Sequence, residues 1–534
     1  MDKSLKLASS IAAALMLSAC NSSSDGPVED GGSAMRPPVV SDSEVVNKWF
    51  EPAADRVNAI KASQTAYPMT AKNIILFIGD GMGLTTHTAG RIYAAQSAYN
   101  KGEYEGFEGG EEFQTSFEQF PHFALSKTYA SNGQTPDSGS TMSAIMSGVK
   151  INKYALNVSD EVQIRDCVDL EGKGLLTAMD LANLAKMSTG VVTNTRVTHA
   201  TPAGTYASIS LRDVEDDTNG AKCEGTYDIA EQLVHYQNKF KDGFQGVQTD
   251  LESGIDVVLG GGARSFFPDG EGGRRRDGQN LVETWKDLTG GSFVADKYDL
   301  EDVTQTPVFG LFNFTHMEYE VDREVRGDEP SLIDMTEKAI ELLQAHDNEN
   351  GFFLVIEGGR IDQAHHAGWG NMALAEYEMF IEAVQRATDM VNLDETMVLV
   401  TADHSHTDSI SGNVKRGNPI AGLAYDVEGE VRLANDGLPF TTRHYANSDI
   451  GGQGGALDGN SRADLSNVDT EKLTFKQPAA VKANGGGETH AGEDVGIWAT
   501  GAGSSHVRGV LEQNSIFHII NKVGQLEQKA SQQL

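Results

Sequence analysis

Five short segments place an acid, a histidine or a hydroxyl beside an apolar run of β type. They are IILFIGDGMG at 74–83 with Asp80, TPDSGST at 135–141 with Ser138, FFLVIEGGRIDQAHH at 352–366 with Glu357, Asp362 and His366, MVLVTADHSH at 397–406 with Asp403 and His404, and GGGETHAGED at 485–494 with His490. Asp and His without a paired thiol suit zinc and magnesium better than a structural cysteine site. Asp362 and His366 are four residues apart, so on a helical turn they share a face and can hold one ion. Asp403 and His404 are adjacent at a strand end, where a turn can bring both inward. Singly, each of these residues reads as a cap or a surface group. Together at strand ends, with Glu357 and Asp80 in equivalent places, they point to two adjacent divalent metals at the carboxyl ends of buried parallel strands, where open α/β sheets build their sites.

Ser138 sits among small residues in Pro136-Asp137-Ser138-Gly139-Ser140-Thr141. A serine attacks only when a base or a metal stabilises its alkoxide. No G-x-S-x-G elbow surrounds it, which weakens a Ser-His-Asp hydrolase reading. The following SAIMSGVK is compatible with a helix, which would put Ser138 at a positive N-terminus. The competing reading is a plain Asp-Ser helix cap.

The elements that must position these groups follow an α/β rhythm. Strand-like runs occur at 74–78, 189–193, 255–259, 352–356, 397–401 and 495–499, continuous rather than alternating, as expected of parallel strands covered on both faces. Helical spacing appears at 332–345 behind Ser331 as an N-cap, and at 372–390. Strand 352–356, helix and strand 397–401 in succession imply a right-handed parallel crossover. The expected fold is α/β, a large mostly parallel sheet flanked by helices. A catalytic domain spans 46–534, and a Gly-rich β insertion at about 410–487 separates His404 from His490.

The chain has 534 residues, with 77 acids against 42 bases and a formal net charge of −35. That surface argues against binding nucleic acid or anionic lipid by electrostatics. It would also repel an anionic substrate at long range, so an anion site needs a local positive cluster, for which bound divalent cations are the strongest candidates. At the N-terminus, Lys3 and Lys6 precede LASSIAAALMLSA, an apolar stretch too short to span a bilayer. Leu17-Ser18-Ala19-Cys20 resembles a bacterial lipoprotein cleavage box. The resemblance implies a signal peptide at 1–19, a lipid-bearing Cys20, a polar tether at 20–45, and export with outer-membrane sorting favoured by Asn21; an ordinary secretory signal is the alternative. Cys167 and Cys223 then remain, an even pair that in an exported protein reads as one disulfide, with two buried free thiols as the alternative.

Two further motifs, Ser-Gly-Val-Lys at 147–150 and His-Ala-Thr-Pro-Ala at 199–203, join Glu-Gly-Gly-Arg-Ile-Asp at 357–362 and Thr-Ala-Asp-His-Ser-His at 401–406 of the first five. With Asp-Gly-Met-Gly at 80–83, Asp-Ser-Gly-Ser-Thr at 137–141 and Glu-Thr-His-Ala-Gly-Glu-Asp at 488–494, the chain resembles the alkaline phosphatase family in motif order from about residue 70 to 525, with wording close to the animal enzymes. The resemblance implies two zinc ions and one magnesium. Asp362, His366 and His490 would hold the first zinc. Asp403, His404 and Asp80 would hold the second, with Ser138 approaching it. Asp80, Thr201 and Glu357 would hold magnesium, with His199 beside it. Arg212 falls at the family's phosphate-binding arginine, oriented by Asp137. The implied activity is hydrolysis of small phosphate monoesters through a phosphoserine, with a homodimer suggested by analogy.

The chain also departs from the family. Gln363 replaces the Lys or His common after the Asp362 position, which implies weaker phosphate retention. His199 stands where the enteric form has Asp, implying a looser magnesium site. A calcium site of the animal type would lie near Phe312 and Glu329, but Asn313 replaces an expected acid. Two other functions compete with this one. A phosphodiesterase or sulfatase of the same superfamily would commonly use Thr or a modified Cys as nucleophile. A non-catalytic zinc- or phosphate-binding lipoprotein would lack the serine or a ligand, and neither is missing.

Overall fold

The computed structural model describes residues 67–534 apart from 103–108, 167–171, 242, 252–253, 347, 450–461 and 484–486, together with Ala53 and Asp55. The signal and tether segments, Cys20 and Cys167 lie outside the described residues. Cys223 is disulfide-bonded. Tyr67–Ser97 and Phe107–Leu534 form one unit; the other, Met1–Ala66 with Ala98–Gly106, is described only at Ala53, Asp55 and 98–102.

Along the larger unit the strands are β1 (Asn73–Gly79), β2 (His122–Lys127), β3 (Ser188–Arg196), β4 (Val257–Gly261), β5 (Ser292–Val294), β6 (Val308–Leu311), β7 (Phe352–Gly358) and β8 (Thr396–Ala402). They continue with β9 (Ser405–His406), β10 (Asp408–Ile410), β11 (Arg443–Ser448), β12 (Ala479–Lys482), β13 (His490–Ala491), β14 (Val495–Gly501) and β15 (Gly509–Glu512). Ten of them form one sheet in the order β15-β2-β14-β8-β1-β7-β3-β4-β6-β5. The runs read as strands fall at β1, β3, β4, β7, β8 and β14. β2, β5, β6 and β15, toward the sheet's edges, escape the sequence reading: β2 is HFALSK, with only Ala124 and Ser126 buried, β5 and β15 are short and partly exposed, and β6 is a buried run of only four residues, VFGL.

Each central strand is covered on both faces. Ile74, Leu76 and Ile78 join a core with Met142, Ile145 and Met146 of helix Ser138–Ser147, Ala203 of helix Ala200–Tyr206 and Ile516 and Ile520 of helix Ser515–Gly524. Ile75 and Phe77 point the other way, to Met335, Ala339 and Leu343 of helix Leu332–Ala345 and Tyr377 and Phe380 of helix Gly370–Met390. The alternation along one strand therefore feeds two cores, giving three layers. Ser331 caps the Leu332 helix reciprocally with Asp334, its hydroxyl accepting from the Asp334 amide at 3.0 Å.

Two features of the topology set the site. β7 and β8 are not neighbours: the crossover through helix Gly370–Met390 passes over β1, which pairs parallel with both. The register aligns Gly79 with Gly358 and with Ala402, and Glu357 with Ile78 and Thr193. Asp80 and Asp403 thus reach one level on adjacent strands, roughly 5 Å apart, and Glu357 and Thr193 are level with each other two residues earlier, beside Ile78. The second feature corrects the sequence reading of 495–499 as a parallel strand. β14 runs antiparallel to both β8 and β2. His490 precedes its strand while the other acids and imidazoles follow theirs, so only a reversed strand delivers it to the same edge.

The insertion carries β11 between β10 and β12 in a separate three-stranded sheet. β13 pairs with β9 so that His490 lies opposite His406. Among the described residues no helix is long and apolar enough to cross a membrane.

Phe380 is fully buried and meets Phe77 edge-on at 5.9 Å between centroids. Phe380→Ala is expected to cost about 3–5 kcal/mol, read as a lower denaturant midpoint with an unchanged slope; no shift would contradict the two-core packing.

Candidate metal centre

β1 ends at Gly79 and the chain turns at Gly81, whose φ of +69° favours glycine; a Cβ there would lie 2.4 Å from the His406 ring. The turn sends the Gly81 amide to Asp403 Oδ1 at 3.0 Å and leaves Asp80 facing Ser138 and His404. Ser138 is the first residue of its helix. Asp137 caps that helix, accepting from Gly139 N at 3.1 Å and Ser140 N at 3.4 Å, and its Oδ2 accepts from Arg212 Nη1 at 2.9 Å. The plain-cap reading and the functional one therefore describe the same pair of residues: the cap orients an arginine as well as the helix.

Three groups of acid and imidazole atoms converge, each with its atoms within 4.8 Å of one another. In the first, Asp362 Oδ1 lies 3.3 Å from both His366 Nε2 and His490 Nε2, and these two nitrogens are 3.0 Å apart. A tetrahedral ion with ligand bonds near 2.05 Å has ligand–ligand edges of about 3.3 Å. Each ring's Nδ1 meets a backbone carbonyl, Glu488 O at 2.6 Å for His366 and Pro136 O at 3.0 Å for His490. Donating there leaves the two Nε2 lone pairs facing each other, an arrangement that a cation between them stabilises.

In the second group His404 Nε2 is 3.3 Å from Asp80 Oδ1 and from Asp403 Oδ2, and 3.2 Å from Ser138 Oγ; Ser138 Oγ is 3.4 Å from Asp80 Oδ1. These are again tetrahedral edges, with the serine oxygen at one corner. In the third, Asp80 and Glu357 approach His199, and Thr201 Oγ1 is 3.4 Å from Asp80 Oδ2. Glu357 Oε2 accepts from Thr195 at 3.0 Å and from Thr193, whereas Glu357 Oε1 is buried without a partner. A buried orphan carboxylate oxygen beside a second carboxylate fits an oxygen-coordinated ion such as magnesium.

The electrostatics agree. Burial, then Asp362, Asp403 and Glu357, push Asp80 well above the usual carboxylate range. Burial raises Glu357 to about 7 against hydrogen bonds from Thr193, Thr195 and Thr201. Asp403 is raised by burial and by Asp362, although the Gly81 amide opposes this. Asp362 goes the other way: burial is outweighed by His366, His406 and His490, which hold it well below its usual value. Burial and His490 keep His404 neutral, as a metal ligand must be.

His406 and Glu488 fall within the motifs, but the sequence assigns them no role. His406 Nε2 meets Asp362 Oδ1 at 2.8 Å and its Nδ1 meets Glu488 Oε2 at 2.5 Å, so both nitrogens are hydrogen-bonded. Burial opposes its charge, but Glu488 and Asp362 raise it to about 10. It is thus a cation supporting Asp362 rather than another ligand. The His-x-His spacing on β9 was the available signal, since alternate strand residues share a face.

The groups open into a cavity of about 570 Å³ lined by Ser138, Arg212, His199, Lys153, Gln363 and His316, among others. Arg212 Nη2 reaches His199 Nε2 at 3.2 Å. A hydroxyl at a helix N-terminus, between cation sites and beside a guanidinium, can attack a tetrahedral oxyanion centre in line. At the position considered for calcium, Glu329 Oε1 is met by Arg326 Nη1 at 3.0 Å and Asn313 Nδ2 at 2.5 Å, and Phe312 O accepts from Arg326 Nη2 at 3.4 Å. A guanidinium already engages those oxygens.

The family model for alkaline phosphatase matches residues 71–526. The chain is 35% identical over 514 residues to the tissue-nonspecific alkaline phosphatase isozyme of Felis catus, covering 92% of this chain and 90% of that protein. It is 37% identical over 492 residues to an alkaline phosphatase of Gadus morhua, covering 88% and 95%. Among solved structures, alkaline phosphatase from Thermus thermophilus aligns with a TM-score of 0.61 at 22% identity, over 88% of this chain and 97% of that one. The enzyme from the Antarctic bacterium TAB5 aligns at 0.56 and 22%, over 86% and 99%. These two show the shared fold.

His406 generates a pH prediction for the metal-stripped protein. Its folded value of about 10 exceeds the ordinary 6.5, so its contribution is full below pH 6.5 and is lost as pH rises toward 10. Denaturant midpoints of stripped protein should fall between pH 7 and pH 10, and Glu488→Gln should flatten that fall; an unchanged slope in the variant would refute the ion pair.

Proposed function

The chain belongs to the alkaline phosphatase family and is a metal-dependent phosphomonoesterase, and we propose that Ser138 is its nucleophile, at a centre of two zinc ions and one magnesium. The observation that carries this is the position of Ser138 Oγ, 3.2 Å from His404 Nε2 and 3.4 Å from Asp80 Oδ1, at a corner of a tetrahedral donor set. Asp362, His366 and His490 would hold one zinc and Asp80, Asp403 and His404 the other, because mixed carboxylate–imidazole sets suit zinc. Asp80, Glu357 and Thr201 would hold magnesium through oxygen, with His199 beside it. When bound, the zinc ions favour the serine alkoxide and offset charge on the leaving oxygen.

The rest is the work of side chains. Asp137 fixes the Arg212 guanidinium, which grips two equatorial oxygens of the phosphoryl group. The start of helix Ser138–Ser147 adds its dipole to the same charge. Ser138 Oγ forms a bond to phosphorus as the ester P–O bond breaks, and the alcohol leaves with its oxygen. Water then attacks the phosphoserine, returning the serine oxygen and releasing phosphate. Arg212 fills the space where a second ester group would sit, which favours monoesters over diesters.

Ser138→Ala should lower kcat for p-nitrophenyl phosphate about a thousandfold or more while circular dichroism and unfolding midpoint stay near wild type. Acid quench of wild type with labelled phosphate should trap label on Ser138. Full-rate hydrolysis by the variant, or diester turnover exceeding monoester turnover, would refute the assignment.

We also infer that the protein is exported and lipid-anchored through Cys20, supported by Leu17-Ser18-Ala19-Cys20 after a short apolar segment. Several acyl chains give stable attachment where one does not. Cys20→Ser should move the activity from the membrane pellet to the soluble fraction; equal partitioning of the two proteins would rule the anchor out.

A further inference from the structure

One wall of the cavity is crowded with hydrogen-bond donors. His316, from the loop after β6, and Gln363 both line it. The His316 ring is 5.4 Å from that of His199, whose Nε2 meets Arg212 Nη2 at 3.2 Å, so this wall adjoins the arginine. Gln363 Nε2 approaches His316 Nδ1 at 2.8 Å and Nε2 at 3.1 Å, and Arg196 Nη1 also closes on His316 Nε2. A neutral imidazole has one lone pair and one N–H. At least one donor here therefore faces another donor. Turning the Gln363 amide over does not cure this, because its Oε1 accepts from Arg360 Nη1. Behind them, the Nε atoms of Arg264 and Arg360 are buried without a partner.

Burial, with Arg196, His199, Arg360 and Arg264 nearby, holds His316 far below the ordinary imidazole range, so the ring stays neutral. Glu215 binds Arg196 at 2.7 and 2.8 Å and lies 3.5 Å from Arg264. Arg360 stacks on the Tyr319 ring at 3.6 Å and donates to a neutral amide. In a chain of net charge −35, three guanidiniums gather behind this wall; Glu215 and Asp216 face Arg264 and Glu376 faces Arg360, so charge is nearly matched there while the contacts of His316 leave a donor over. Buried donors left without acceptors call for a missing group. An anion supplies acceptors only, and so fits the deficit better than water, which brings donors of its own.

We propose that His316 and Gln363, backed by Arg196 and Arg360, form a subsite for a second anionic group of the substrate. The preferred substrates are then short phosphate monoesters with a carboxylate or another phosphoryl group a few bonds from the scissile ester. This rests on the assignment of the reacting phosphoryl group to Ser138 and Arg212. The subsite makes and breaks no covalent bond; it lowers KM by pairing the second charge. Long-range repulsion from the acidic surface acts against such substrates, so a preference for them has to arise locally.

Glycerol 3-phosphate and 3-phosphoglycerate test this, because they share the ester and differ by a hydroxymethyl against a carboxylate. For the metal-loaded wild type at low salt, kcat/KM should be about tenfold higher for 3-phosphoglycerate, the gap lying in KM and narrowing as salt screens the pairing. His316→Ala should bring the ratio toward one, with glycerol 3-phosphate turnover within about twofold of wild type, which also reports that the variant is folded; Gln363→Leu, beside the zinc ligand Asp362, should lower the ratio likewise, whatever it does to turnover of both substrates. A wild-type ratio near one, or an unchanged ratio in both variants, would overturn the subsite alone. Hydrolysis of neither substrate by wild type would overturn the phosphomonoesterase assignment together with it.

Discussion

Asp80, Glu357 and Asp403 are wholly buried at the carboxyl ends of neighbouring parallel strands, and this concentration of like charge is the constraint on which the structure depends. Bringing one carboxylate out of water costs several kcal/mol, and a group of them repels itself as well. The upward shifts of all three express that cost in the absence of cations. Divalent ions remove it, which ties the integrity of the site to metal binding. They also reconcile an acidic chain with an anionic substrate: positive charge is confined to the cavity while the surface keeps its negative excess.

Around this centre, residues act in pairs that serve folding and chemistry together. Asp137 caps the helix that begins with Ser138 and holds Arg212, so the nucleophile and the guanidinium are positioned by one carboxylate. His406 bridges Asp362 and Glu488, fixing an acid of the helix Arg360–His366 to the segment that carries His490. The β9–β13 pairing holds the same segments by their backbones. The long insertion between β8 and β14 therefore leaves the site and returns to it without loosening the His490 position.

The sequence was most legible where burial is complete. β1, β7 and β8 are continuous apolar runs because both faces are covered, and each ends in an acid. The edge strand β15 and its neighbour β2 were not legible, since exposed positions relax the demand for apolar residues. Of the site, the residues with strong local settings stood out: Asp362 with His366 on one helical turn, Asp403 with His404, and Ser138 after Asp137. His406 and Glu488 did not: the His404-x-His406 spacing places the ring on a shared face, but its partners Asp362 and Glu488 lie 44 and 82 residues away and leave no local mark of the support it gives. His316 was equally silent; its meaning comes from Gln363 and Arg196, 47 and 120 residues away in the chain.

The amino-acid sequence by itself determined the α/β class, the acidic surface, the set of metal-binding residue types and the family, because these follow from local patterns and motif order. The tertiary structure decided what those residues do to one another. It reversed β14 so that His490 could join ligands that follow their strands, and it set the strand register that gathers the buried carboxylates at one end of the sheet. It also turned His406 into a charged support and gathered donors around His316. Distance, direction and dielectric are properties of the folded chain, and each depends on which distant segments the sheet brings side by side.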